Sequence, residues 1–280
     1  ELDYECKIFQ TLGGSSISQF NLNLNKSSFT NEYGHDPGLV HGNGGWKDKM
    51  LVNQIGNYFP YRWREIYGYM EKYNFSYNDT KILVTFVSRE EVTEKQIQFL
   101  ENCLNKNYTL FIFNKKCEKL SNWYNLQNKK IFYFHIDERK NRIKSLLYAK
   151  KMKMDYYFTF DNTQELELNV IDESLKKDKY CIGPLLKKTN DFWSNCWLEV
   201  DKNGFYKRSF DYFDIVANRR GVWNCAYICN CFLLKKDIFE DAIEGYRNQS
   251  LDIDMSICKY FRDKYIFMYV DNLKNYGKLI

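Results

Sequence analysis

Apolar positions in the first thirty residues come as short extended runs broken by turns. Lys7-Ile8-Phe9-Gln10 predicts a short strand and Gly13-Gly14-Ser15-Ser16 a turn, and Phe20 to Leu24 alternates apolar and polar side chains as a half-buried strand does. Gly34 to Gly45 is glycine-rich and holds two of the three histidines. Met50 to Tyr58 has the spacing of a short helix that Pro60 stops. Arg64 to Tyr73 reads as helical and Asn74 to Thr80 as polar and turn-forming, so residues 64–80 predict a linker.

Beyond the linker the pattern changes. Ile82-Leu83-Val84-Thr85-Phe86-Val87 carries the signal of a buried strand. Glu91 to Leu104 carries helical spacing in Val92, Ile97, Leu100 and Leu104. Thr109 to Phe113 predicts a second strand, Ile131 to Ile136 a third, Arg142 to Met154 a basic helix, and Tyr156 to Phe160 a fourth strand ending at Asp161. Strand and helix alternate, which predicts a parallel or mostly parallel sheet with crossover helices. Trp193 to Tyr269 reads as more β-rich and closes this domain. No repeat of 20–50 residues is visible.

Composition narrows the classes. A chain of 280 residues with 44% hydrophobic and 18% aromatic positions can build a packed core, which sets disorder aside. The abundance of Tyr, Phe, Asn and Lys fits an AT-rich genome as well as any function. The net charge of +5 is spread among acids, so no nucleic-acid-binding stripe stands out, while a nucleotide diphosphate is a compatible anion. No apolar run is long enough for a transmembrane helix. The nine cysteines are odd in number and contain no CxxC, and Cys225–Cys229–Cys231 lacks a second cluster of zinc-type spacing, so disulfide pairing is left open. Sequons at Asn25, Asn74, Asn78, Asn107 and Asn248 give a secretory location little weight in so Asn-rich a chain. The start at Glu1, without Met or signal peptide, reads as internal.

Three constellations carry candidate chemistry. The first is His41-Gly42-Asn43-Gly44-Gly45-Trp46-Lys47, spaced H-x-x-G-x-x-K. A neutral imidazole ligates a divalent metal, Gly44 lets the backbone approach a diphosphate, Lys47 neutralises phosphate charge as a sugar leaves, and the Asn43 amide both donates and accepts. A plain turn before a helix explains the same residues. The second is Asp161-Asn162-Thr163, at the end of an apolar strand, where open α/β folds place ligands. Transferases of the A type put a metal-holding D-x-D there, but Thr163 replaces the second acid and leaves a poor divalent site, with Glu165 and Glu167 nearby in sequence. The third is the aromatic stretch Phe192 to Trp197, with Phe205-Tyr206 and Tyr212-Phe213, which serves core packing more often than sugar stacking. Arg219-Arg220, before Gly221-Val222-Trp223-Asn224, either meets a phosphate or is solvated. His35 and His135 stand alone and read as structural.

Several segments together resemble the procollagen lysyl hydroxylase and collagen glycosyltransferase family. They are His41 to Gly44, Gly56 to Pro60 with Trp63, Leu185 to Trp197, Tyr206 to Ser209, Asp211 to Val216, Arg220 to Asn224, Asp252 to Met255, Phe261 to Lys264 with Ile266-Phe267, and Tyr276 to Leu279. Their ordered combination carries the likeness over almost the whole chain. The resemblance implies an α/β glycosyltransferase A-type (Rossmann-like) accessory domain at 81–280, non-catalytic, joined by the 64–80 linker to the C-terminal part of a similar, catalytic domain at 1–63. It implies transfer of glucose or galactose from a UDP-sugar to hydroxylysine or galactosylhydroxylysine of a collagen-like polypeptide, with Mn²⁺ and retention of configuration. His41 then matches the metal histidine. Gly42, Asn43 and Gly44 lie at the UDP-sugar, with Asn43 in the catalytic position, and Lys47 lies near the phosphates.

The front of that first domain is missing here, as is an H-x-D with a distal His, so lysyl hydroxylation is not expected of this chain. Two other readings stand beside the transferase: a non-catalytic accessory or homodimerisation module, and a collagen galactosyltransferase, against which Thr163 speaks. Origin in the endoplasmic reticulum or secretory pathway, or in a virus or microbe, is left open by the sequence.

Overall fold

A computed structural model describes residues 6–11, 21–23, 28–35, 37, 39–41, 80–115, 117–127, 131–134, 137–189, 191–201, 203–209, 212–217, 219–248 and 251–280. The helix expected at Met50 to Tyr58 and the linker over 64–79 lie outside the described residues, as does His135.

In the first segment β1 (Phe9–Thr11) pairs in parallel with β4 (Leu39–His41), and β2 (Asn21–Asn23) pairs antiparallel with β3 (Ser28–Thr30). A turn over residues 31–35 is held by Asn31, whose Oδ1 accepts from the Tyr33 and His35 amides at 3.1 and 3.0 Å. Both strand candidates near the start are therefore present.

From Thr80 onward the chain builds one eight-stranded sheet. Its strands are β5 (Ile82–Ser88), β6 (Thr109–Asn114), β7 (Ile131–Phe134), β8 (Tyr156–Asp161), β10 (Cys181–Pro184), β14 (Val222–Cys225), β16 (Phe232–Lys235) and β17 (Met268–Asp271). The spatial order is β7-β6-β5-β8-β16-β10-β17-β14. The β7-β6-β5-β8 half is parallel throughout, as the alternation of strand and helix predicts. β16 then enters antiparallel to both β8 and β10, β17 lies parallel to β10, and β14 closes the edge antiparallel to β17. Two antiparallel steps through β16 restore the direction, so the carboxyl ends of β5, β8, β10 and β17 share one edge of the sheet. Smaller ribbons flank it: β9 (Gln164–Leu166) with β18 (Gly277–Leu279), β11 (Cys196–Trp197) with β15 (Tyr227–Ile228), and β12 (Glu199–Val200) with β13 (Tyr206–Lys207).

Alternation along β5 explains the layering. Ile82, Val84 and Phe86 face one core cluster and Leu83 and Val87 the other, so the strand is buried on both faces. The first face is covered by α1 (Glu94–Asn105), α2 (Glu118–Asn125) and α4 (Val170–Leu175). The second is covered by α3 (Glu138–Lys151), α5 (Tyr212–Ala217), α6 (Phe239–Arg247) and α7 (Ile253–Asp263). The result is a three-layer α/β domain with a mixed sheet.

One expectation needs correction. The second half is not chiefly β: Phe239, Ala242, Ile243 and Tyr246 are buried on α6, and Met255, Cys258 and Phe261 on α7, at helical spacing. On the basic helix α3, Lys140, Lys144, Lys150 and Lys151 are exposed, whereas Arg142 is fully buried. None of the nine cysteines is in a disulfide, and seven are buried. Burial pushes the Cys196 and Cys258 thiols up to about 12, so they pack as small apolar groups rather than react as thiolates.

Gly183 on β10 marks a close approach of the chain to the sheet. A Cβ there would lie 2.1 Å from the Cys231 carbonyl oxygen and 2.4 Å from Ile228 Cδ1. Gly183→Ala is expected to lower unfolding free energy by about 3 kcal/mol, read from urea denaturation. Unchanged stability would mean that the turn leading into β16 does not press on β10.

Candidate active site

Strand order reverses between β5, which leads to β6 on one side, and β8 on the other. This is the topological switch point at which open α/β sheets bind ligands. Val87 and Asp161 are paired in register there, and the Asn162 amide donates to the Val87 carbonyl at 3.0 Å. Gln96, the N3 residue of the α1 capping box with Thr93, reaches across and donates to the Asn162 and Gln164 carbonyls at 2.9 and 2.8 Å. The loop after Asp161 is thus held from two elements.

Asp161 is only 4% exposed. Its Oδ2 faces Arg89 Nη1 at 2.6 Å and accepts from the Asn230 side-chain amide; its Oδ1 accepts from the Thr163 amide at 2.9 Å and the Thr163 hydroxyl at 2.5 Å. Arg89 follows β5 directly and forks onto Glu138, with Nη2 at 2.9 and 2.8 Å from its two oxygens and Nε at 3.2 Å. Burial works against the Arg89 cation, but the charges of Glu138 and Asp161 outweigh it and raise its pKa. Glu138 also accepts from Arg142, one turn along α3, at 3.0 and 3.2 Å. Arg142 in turn donates to the Thr159 hydroxyl of β8 at 2.8 Å. Burial opposes that cation too, and Tyr246 and Glu138 more than compensate.

Asn230 stands in the left-handed region at φ 45°, a conformation that asparagine tolerates better than most residues, and its Oδ1 has no partner among the described residues. Asp254 at the start of α7 takes a hydrogen bond from Cys229 Sγ at 3.2 Å, and its Oδ1 is likewise unpartnered there. Burial raises the Asp254 carboxyl to about 6 against the lowering effect of Arg142.

The residues singled out in the sequence fare unequally. His41 ends β4, opposite Thr11, with its ring 6.0 Å from Phe9, and it is exposed. Gly42, Asn43, Gly44 and Lys47 lie outside the described residues. Among the described residues no group of three or more His, Cys, Asp or Glu side chains could hold a metal ion. At Asp161 the donor set does not fit Mn²⁺. The Asn230 and Asp254 oxygens are orphaned, but a guanidinium already sits on the one carboxylate of the strand end, and a hydroxyl stands where a second acid would. The sequence reading did not assign Arg89, Glu138, Arg142, Asn230 or Asp254 to this site. The signal for Arg89 was present, a cation directly after a fully buried strand; the others come from distant elements.

A three-layer sheet with its switch point at an acidic strand end is the glycosyltransferase A-type, nucleotide-sugar-transferase fold. The model of the glycosyltransferase family 25 N-terminal domain matches residues 57–280, and that of the PLOD GT domain matches residues 1–69. The chain belongs to glycosyltransferase family 25, N-terminal domain. It is 31% identical over its whole length to human procollagen-lysine,2-oxoglutarate 5-dioxygenase 2, of which it spans 41%. It is 29% identical over its whole length to the multifunctional procollagen lysine hydroxylase and glycosyltransferase of Caenorhabditis elegans, of which it spans 42%. Over 99% of the chain it is 26% identical to the procollagen lysyl hydroxylase and glycosyltransferase of Acanthamoeba polyphaga mimivirus, of which it spans 29%. Among solved structures, a UDP-glucose pyrophosphorylase complexed with UDP-glucose overlays 71% of this chain and 92% of its own at 11% identity, with a TM-score of 0.43, too loose to carry an argument.

Asp254 gives this site a pH signature. Its folded-state pKa lies above the ordinary aspartate value, so its favourable contribution is complete below about pH 4 and is lost as pH rises through about 6. Asp254→Asn is therefore expected to gain stability relative to wild type between about pH 4 and pH 7.5, by up to about 3 kcal/mol, in urea titrations at both pH values. An equal difference at both would place the carboxyl at its ordinary pKa.

Proposed function

We propose that this chain is part of a collagen-modifying glycosyltransferase, with donor chemistry in the segment around His41 and an accessory role for residues 81–280. The observation that supports this division is the state of Asp161. The position that would hold a metal–diphosphate in a working A-type transferase is neutralised internally by Arg89, Thr163 and Asn230. A UDP-sugar arriving there would have to break an ion pair that also anchors Glu138 and, through it, Arg142.

Residues 1–63 are assigned to the end of the catalytic domain, 64–80 to a linker, and 81–280 to the accessory domain. The acceptor class is hydroxylysine or galactosylhydroxylysine in a collagen-like polypeptide, supported by the names of the relatives above, and the sugar is glucose or galactose from UDP. Mn²⁺ would supply Lewis-acid charge at the diphosphate. Of this chain's own residues, His41 offers it one imidazole nitrogen, Gly42 and Gly44 let the backbone approach the nucleotide, Asn43 orients the sugar through its amide, and Lys47 neutralises phosphate charge. A secretory-pathway or viral setting accords with those relatives. No helix among the described residues is long and apolar enough to cross a membrane.

The test is UDP binding in the presence of Mn²⁺, by calorimetry on the full-length protein that contains this chain. His41→Ala is expected to weaken binding by about tenfold or more, as loss of one metal ligand would. Asp161→Asn is expected to leave binding unchanged while lowering stability, because it removes the charge that Arg89 pairs with. The opposite pattern, loss in Asp161→Asn and retention in His41→Ala, would put the donor site at the switch point and overturn the division of roles.

A further inference from the structure

A second crevice opens on the same carboxyl edge of the sheet, beyond the ends of β10 and β17. It encloses about 440 Å³, and five cationic residues line it: Lys187, Lys188, Arg220, Lys274 and Lys278. No described carboxylate lines it.

The charges are only partly cancelled. Lys274 lies 3.0 Å from Glu173, which also holds Lys176, and Lys278 lies 3.3 Å from Glu165. Lys187 donates to the Val216 carbonyl at 3.2 Å and Arg220 to the Asn272 carbonyl at 2.9 Å. These neutral acceptors fix direction without removing charge. Lys187, Lys188 and Arg220 have no carboxylate partner among the described residues, so three positive charges converge on one concavity.

The floor is preorganised. Buried Asn272 accepts from the Gly221 amide at 2.8 Å and Trp223 Nε1 at 3.0 Å, and donates to the Ile215 and Arg219 carbonyls at 2.8 and 2.7 Å. All four of its hydrogen-bonding positions are used to clamp the segment that carries Arg220 onto the end of β17. Gly277, on the opposite wall, holds φ at +135° with the Glu165 carbonyl 2.0 Å from where a Cβ would be, so the chain there cannot relax outward with a larger residue. The two arginines of the Arg219-Arg220 pair thus part company: Arg219 pairs with Asp214 at 3.1 Å, and Arg220 faces the crevice.

We propose that this crevice binds a small phosphate-class anion carrying two or more negative charges, such as a diphosphate, free or borne on a nucleotide or sugar. A rigid concavity with a guanidinium fork and flexible ammonium groups suits tetrahedral oxyanions, and the surplus of charge calls for more than one negative charge on the ligand. The proposal does not rest on the donor chemistry assigned to the His41 segment.

The probe is inorganic pyrophosphate, titrated calorimetrically into the full-length protein in metal-free, low-salt buffer. Wild type, His41→Ala and the surface control Lys207→Gln are expected to bind alike. The double variant Lys188→Gln/Arg220→Gln is expected to bind about tenfold more weakly or worse, with its circular dichroism and melting unchanged. Raising salt is expected to weaken wild-type binding. UDP competing with pyrophosphate in His41→Ala would support a nucleotide as the source; pyrophosphate binding without UDP competition would support a free diphosphate or phosphorylated sugar. No pyrophosphate binding to wild type, or equal binding by the folded double variant, would overturn the proposal. Failure of the donor-site reading alone would show instead as UDP–Mn²⁺ binding retained in His41→Ala.

Discussion

A carboxylate held almost out of water at the end of a central strand must be neutralised, and the way Asp161 is neutralised organises the domain around it. The charge passes from Asp161 to Arg89, from Arg89 to Glu138 and from Glu138 to Arg142, tying the ends of β5 and β8 to the first turn of α3. Asp161 and Arg142 are buried and Glu138 partly so, while Arg89 reaches them from the exposed rim; neither Asp161 nor Arg142 could stay charged alone without several kcal/mol of desolvation cost. Thr163 and Asn230 complete the shell of acceptor sites on Asp161. The same groups that make this corner stable leave it no vacant carboxylate with which to grip a metal.

That chain of charges continues into a polar stripe beneath α3. Ser145 and Tyr157 share a hydrogen bond at 3.1 Å, Thr85 reaches Tyr157 Oη at 3.1 Å, and Arg142 meets Thr159. A helix with its polar groups turned inward is unusual for a sheet of this kind. The hydroxyls of Ser145, Tyr157, Thr85 and Thr159 all have partners, which is what lets this stripe sit beside the apolar contacts of Leu146 and Ala149. On the other face the packing of Phe86, Phe99 and Phe160, with ring centroids 4.6 to 5.0 Å apart, is conventional. One face of the central strands is thus held by hydrophobic burial alone at this corner, and the other combines its hydrophobic core with directional bonds.

The insertion of antiparallel β16 has a consequence for function. It separates the switch point from the ends of β10 and β17 while keeping both on one edge, so the domain offers two distinct crevices on a single rim. The first is filled by its own side chains. The second is open, positive and braced by Asn272.

The amino-acid sequence by itself determined the strands and their class. The runs at Ile82–Val87, Thr109–Phe113 and Tyr156–Phe160 became β5, β6 and β8 because five or six residues with a threonine as the only non-aromatic polar side chain have no polar face to turn to water. The ordered motifs identified the family, and Thr163 by itself announced the loss of a second acid. Local pattern did not reveal that the basic helix buries Arg142, or that α6 and α7 interrupt a segment read as β-rich. It did not bring Arg89, Glu138, Asn230 and Asp254 to one strand end, or turn Arg219 and Arg220 to different partners. Those outcomes depend on groups tens of residues apart, whose charges are settled only when the sheet order puts them within hydrogen-bonding reach. Sequence spacing records which groups can pair, and the tertiary structure decides which of them must.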